Sequence, residues 1–266
     1  MVNFANDWKA IGPRFGSLSV DDITADICRS YAEDRQLAGK SVSTSWTELT
    51  RLRSCLNWAQ KRRVIDRAPY VWTPTKPDGR TRVMSEDEVL ALLDGCKVPH
   101  IRLFCILAIT TAGRSGALLD LTWDRVDFEA GTIDLRKAVR INALTKQAQK
   151  GRAIVPMSKE ARAALQDAKA GALTDHVIEW DGLPVKCIMK GFKAAAKAAG
   201  LKDVSPHTLR HTAATWLEEG DVDMGRISRL LGHRDRRTTE KLYSHPRPHH
   251  LQEAAEIIDM KIRRRK

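Results

Sequence analysis

Apolar residues recur at helical spacing through most of this chain and switch to alternation in one short stretch. Ser17 to Asp34 opens with Ser19-Val20-Asp21-Asp22 and then carries Ile23, Ile27 and Tyr31 four residues apart, the pattern of an amphipathic helix. A longer helix is predicted from about Ser43 to Val64. Leu49, Leu52, Leu56 and Ala59 form its apolar stripe, and Arg51, Lys61, Arg62 and Arg63 fall largely off it. Ser85-Glu86-Asp87-Glu88 reads as a capping box before Val89, Leu90, Leu92 and Leu93. A further helix is marked by Ile101, Phe104, Leu107, Ala108 and Thr111. It ends at Thr111-Ala112-Gly113-Arg114, and another helix carries Leu118, Leu119 and Leu121 towards Trp123.

The period changes at Val126. Val126-Asp127-Phe128 and Thr132-Ile133-Asp134-Leu135 alternate around Glu129-Ala130-Gly131, predicting a hairpin, and Arg152-Ala153-Ile154-Val155 before Pro156 predicts a third strand. Between them Leu144 to Gly151 is a polar turn with two lysines. Beyond Pro156 the pattern is mostly helical, with Ser158 and Ser205 as caps, Gly200, Gly220 and Gly232 as stops, and a short hairpin at His176–Val185. The expected fold class is mainly α with a small antiparallel β-sheet. Pro69 to Arg82 holds three prolines and one glycine without apolar periodicity and reads as a linker. It divides a helical domain, residues 1–68, from a larger domain, residues 83–266, with residues 69–82 between them.

Charge adds a partner class. A formal net charge of +12, from 45 Lys and Arg against 33 Asp and Glu, favours polyanions, nucleic acid above all. The basic face of the first domain could clamp a duplex through its phosphates, which gives affinity without sequence information. Five dispersed cysteines with no C-x-x-C pair argue against a zinc ribbon or a disulfide framework and suit a reducing cytosol. The first residues show no signal-peptide pattern and no stretch approaches a membrane span, so the expected location is cytoplasmic, associated with the nucleoid.

The densest chemistry lies in Ser205-Pro206-His207-Thr208-Leu209-Arg210-His211, where Pro after a Ser cap starts a helix carrying His207 and Arg210 on one face. Leu230-Leu231-Gly232-His233 and Tyr243, one of three tyrosines, follow. These residue types suggest phosphate chemistry with a protein nucleophile. Upstream stand Arg114 after a helix end and Lys146 in the polar turn. All five marks in this order resemble the tyrosine recombinase (phage integrase) family over roughly residues 80–250. The matching stretches are Thr111–Trp123, Thr145–Pro156, Ser205–Trp216 and Leu230–His245. Each mark alone is weak; the set carries the resemblance.

The resemblance implies a helical core-binding domain followed by a tyrosine-recombinase catalytic domain. It implies Tyr243 as nucleophile, forming a 3′-phosphotyrosine, and Arg114 and Arg210 as guanidiniums on the non-bridging phosphate oxygens. Lys146 would be the general acid at the 5′-oxygen, with Lys150 the runner-up. His207 resembles the family's proton acceptor for the tyrosine and His233 its second phosphate hydrogen-bond donor. The implied partners are double-stranded DNA, a homotetramer on two DNA sites and accessory DNA-bending proteins. No cofactor or metal is expected: there is no P-loop, and His207 and His211 lack a third ligand. His211 reads as a packing or supporting residue, Trp123 and Trp216 as core, and His249-His250 as a solvated pair.

Two features depart from the family pattern. Ala117 stands where an acidic residue often follows the first arginine by three places. The segment before residue 17 is shorter than the arm-binding domain of some integrases. A type IB topoisomerase and a cleavage-deficient DNA-binding regulator of the same fold remain as alternatives to a recombinase. The apolar positions Leu251, Ala254, Ile257 and Ile258 are expected to dock on the same protomer or a neighbour.

Overall fold

Thr24 starts the helix that Ile27 and Tyr31 announce: its hydroxyl accepts from the Ile27 N–H at 3.3 Å. Ser19 and Asp22, expected to open that helix, bond each other side chain to side chain at 2.5 Å. The helix therefore begins later than its polar forerunners suggest, at α2 (Ala25–Leu37). The computed structural model describes residues 2–77, 82–136 and 153–232. The chain divides into two compact units, Met1–Arg80 and Thr81–Lys266.

In the first unit α1 (Val2–Phe15), α2 and α3 (Val42–Lys61) pack around Ile11, Phe15, Tyr31, Leu49, Leu52 and Leu56. Helix α1 precedes the first helix marked by the apolar pattern, and Pro13 lies inside it. Buried Glu48 ties α3 to α2. It accepts from Tyr31 Oη at 2.8 Å and from Arg35 Nε and Nη2 at 3.0 and 2.7 Å. Desolvation and the adjacent carboxylate push the Tyr31 phenol up. The proline-rich stretch after α3 is extended, but it is not free of this core. Val71 is buried within it, Arg29 lies over the Trp72 ring at 5.5 Å, and Lys76 lies over Trp46 at 5.0 Å.

In the second unit Ser85 and Glu88 form the expected capping box, and α4 (Glu86–Gly95) follows. The largest apolar cluster surrounds α5 (Pro99–Thr111), whose Phe104, Cys105 and Leu107 are fully buried. The short α6 (Ser115–Leu119) ends before Trp123, which lies in a 3-10 turn, Trp123–Arg125. A three-stranded antiparallel sheet follows, in the order β1 (Val126–Asp127), β2 (Thr132–Asp134), β3 (Ile154–Pro156). Val126 pairs with Ile133, and Ile133 with Val155 on the other side, so one buried residue per strand faces the core. Pro156 belongs to β3 instead of closing it, which an edge strand permits.

Ser158 caps α7 (Lys159–Ala170) through the Ala161 N–H at 3.1 Å. The predicted second hairpin is β4 (Glu179–Trp180) with β5 (Leu183–Pro184). The remaining helices are α8 (Met189–Ala198), α9 (Pro206–Glu219) and α10 (Met224–Leu231). The mainly helical fold with a small antiparallel sheet is the fold expected, and the β4–β5 hairpin forms a second sheet of two strands. Among the described residues no helix is long and apolar enough to cross a membrane.

Candidate active site

Helix α9 is set from its first residue. Pro206 occupies the first helical position, and the Ser205 N–H donates to Thr208 Oγ1 at 3.0 Å, satisfying a group at the helix entry. One turn later Thr212 Oγ1 accepts from the Met84 N–H at 2.9 Å, which joins α9 to the chain entering α4. Leu209, Thr212, Ala213 and Ala214 are buried against the domain. His207 keeps an exposed edge, as the end of a helix allows.

Arg210 is on the buried side, only 3% exposed. Its Nη1 donates to the Ala112 carbonyl at 2.6 Å and its Nη2 to the Leu231 carbonyl at 2.8 Å. Ala112 is the C-cap of α5 and Leu231 the last residue of α10. A helix C-terminus leaves carbonyls without partners and carries partial negative charge. One guanidinium thus serves two helix ends, which offsets the cost of burying its charge. It also restrains the phosphate role read from sequence. Of five N–H groups on a guanidinium, two go to these carbonyls, so at most three meet a phosphate.

Arg114 is placed by the turn between α5 and α6. Ala112 adopts a left-handed conformation, φ 49°, uncommon for a residue with a Cβ. Gly113 follows where a side chain has no room: a Cβ there would stand 2.9 Å from Leu118 Cδ2 and 2.9 Å from Thr111 Oγ1. Arg114 then opens α6 from its N-cap position with extended backbone, φ −71° and ψ 141°. It is partly buried, and desolvation lowers its pKa. Ala117, where the resemblance leads one to expect an acid, is 2% exposed within the main core and offers Arg114 no carboxylate.

His207 feels all of these groups. Its pKa is pushed down to about 4, first by desolvation and then by the positive fields of His211, Arg210 and Arg114. The imidazole is therefore neutral at physiological pH and able to accept a proton. The His211 ring stands edge-to-face against it, centroids 4.4 Å apart and planes at 79°. The fold thus brings together Arg114, His207 and Arg210 and adds His211. Lys146, Lys150, His233 and Tyr243 lie outside the described residues. Among the described residues no cluster of three or more His, Cys, Asp or Glu could hold a metal ion. A cavity of about 390 Å³ opens between α5 and α7, lined by His100, Arg102, Asp167 and Glu179, and contains none of these residues.

Residues 82–250, more than half of the chain, match the phage integrase family. The chain belongs to that family. This integrase-family chain is 25% identical over 234 residues to the integrase of Salmonella phage P22; the match covers 82% of this chain. It spans only 58% of that integrase's length. In structure it is similar to the Tn1549 transposon integrase in complex with a circular intermediate DNA. There the TM-score is 0.79 at 18% identity, covering 97% of this chain and 92% of the other. It is also similar to a lambda integrase tetramer bound to a Holliday junction, with TM-score 0.73 at 19% identity, covering 91% and 71%. At these identities the structural likeness establishes the fold.

Proposed function

We propose that this chain is a site-specific DNA recombinase that cuts and rejoins strands through a 3′-phosphotyrosine. The observation that carries the reading is the convergence of Arg114, Arg210 and a neutral His207 at the start of α9. Tyr243 would attack the scissile phosphate while His207 takes the phenol proton. The developing charge on the phosphorus oxygens would be met by Arg114 and Arg210. Lys146 would protonate the departing 5′-oxygen, and His233 would add a second hydrogen-bond donor. The freed 5′-hydroxyl of a partner strand then attacks the phosphotyrosine, which regenerates the tyrosine without a nucleotide.

Two DNA sites would be held by four protomers, a reading supported by the lambda integrase tetramer on a Holliday junction. The net charge of +12 supports a duplex partner. The first unit would act as the core-binding clamp. The test is a DNA substrate nicked beside the cleavage site, which traps the covalent adduct. The wild-type chain should form a protein–DNA adduct and Tyr243→Phe should form none. An adduct with Tyr243→Phe would overturn the nucleophile. Relaxation of supercoils with no joining of two sites would favour the type IB reading instead.

A further inference from the structure

The mechanism above leaves His211 without a role, although among the described residues it is the side chain in ring contact with His207. The two lie four residues apart on α9, the spacing that stacks side chains one turn over another. Their rings meet edge-to-face with centroids at 4.4 Å. An imidazole free to turn about its side-chain torsions presents its nitrogens in many directions. One with a second ring packed nearly perpendicular to it at 4.4 Å does not. A proton acceptor must stand within hydrogen-bond reach of the proton it takes, so restricting that rotation bears directly on rate.

We infer that His211 is a positioning residue: through its near-perpendicular ring contact it holds the His207 imidazole in the orientation needed to take the tyrosine proton. This rests on the reading of His207 as proton acceptor. Packing alone would not select a histidine here, since Leu or Phe would fill the same half-buried place. An imidazole brings a titratable charge as well as an edge. The described charged groups acting on His207 are His211 and Arg210 on α9 and Arg114 on the α5–α6 turn. His211 is itself held down by desolvation and by Arg210. As pH falls the two rings compete for protons, and each proton on His211 opposes one on His207.

The test uses the full chain with isotope-labelled histidine, comparing wild type, His211→Phe and His211→Ala. Ring NMR titration reads His207 without any DNA. The His207 midpoint should rise from about 4 in both variants. It should rise less in His211→Phe, which keeps the aromatic edge, than in His211→Ala, which also admits water. Cleavage of the nicked substrate should fall about 10-fold or more in His211→Ala and only a few-fold in His211→Phe, with the acid limb of the rate moved to higher pH in both. An unchanged His207 midpoint in both variants overturns the inference whatever the cleavage assay shows. So does equal loss of cleavage in the two variants with a matching fall in Tm, since that is the mark of packing alone. If instead the midpoints move as stated while wild type forms no adduct, the ring contact stands and the recombinase reading fails.

Discussion

The Arg210 guanidinium donates to the carbonyl of Ala112, 98 residues earlier in the chain, at 2.6 Å. The same group donates to Leu231 at 2.8 Å, so a residue read as a phosphate ligand also holds two helix ends together. Arg210→Ala should therefore lower stability as well as activity. It strands two buried carbonyls at about 1–3 kcal/mol each. For a unit of this size that corresponds to a fall in Tm of roughly 4–24 °C. Arg210→Lys, which can reach one carbonyl at a time, should fall between wild type and Arg210→Ala. Thermal unfolding of the DNA-free chain measures this; equal Tm values for all three would remove the structural role.

Two glycines close to Arg114 should respond in opposite ways. A methyl at Gly113 meets Leu118 and Thr111 at 2.9 Å, so Gly113→Ala should cost about 1–3 kcal/mol and shift the Arg114 turn. A methyl at Gly116, within α6, meets nothing within 4 Å. Gly116→Ala should raise stability by about 0.5–1 kcal/mol through helix propensity. Denaturant midpoints at constant slope will separate the two.

The depressed pKa of His207 fixes the sign of a pH effect. Between about 4 and the ordinary value near 6.5 the unfolded chain holds a proton on this residue that the folded chain does not. Its contribution to stability therefore rises with pH through that window and is lost as pH falls. His211, also lowered, works in the same direction. Tm followed from about pH 4 to 8 should be flatter below about pH 6.5 in His207→Gln than in wild type. Parallel curves would mean that the native environment of His207 does not oppose its protonation.

In the first unit, Glu48→Ala removes the acceptor shared by Tyr31 and Arg35. The cost should be about 2–4 kcal/mol, because it leaves a buried hydroxyl and a partly buried guanidinium without that partner. Glu48→Gln, which keeps an acceptor oxygen, should lose less. Chemical denaturation followed by tryptophan fluorescence reads both, and equal midpoints for Ala and Gln would argue that the shared acceptor is unimportant.

Local chemistry made much of this fold legible. Ser85 with Glu88, Ser158, Pro206 and the Glu129-Ala130-Gly131 turn each act within a few residues, and each sits where its spacing places it. The errors share a cause. Ser19 and Asp22 are strong cap residues that bond each other, and α1 lies ahead of the first stretch with a clear apolar stripe. At the site, residue types pointed to Arg114, His207 and Arg210, but no spacing could show that Arg210 caps α5 and α10, because its acceptors are distant in sequence. The left-handed turn at Ala112 was equally hidden, since alanine is not a residue that advertises positive φ.

Ala112 also belongs to a small apolar group, with Ala213, Ala214, Ile227 and Leu231, set apart from the main core. That group contains the residue that orients Arg114 and the residue that ends α10, and Arg210 bonds to the backbone of both. Close-packed interiors transmit displacement instead of absorbing it. The arginine turn and helix α10 are thus tied through one guanidinium, so a displacement of either bears on the other.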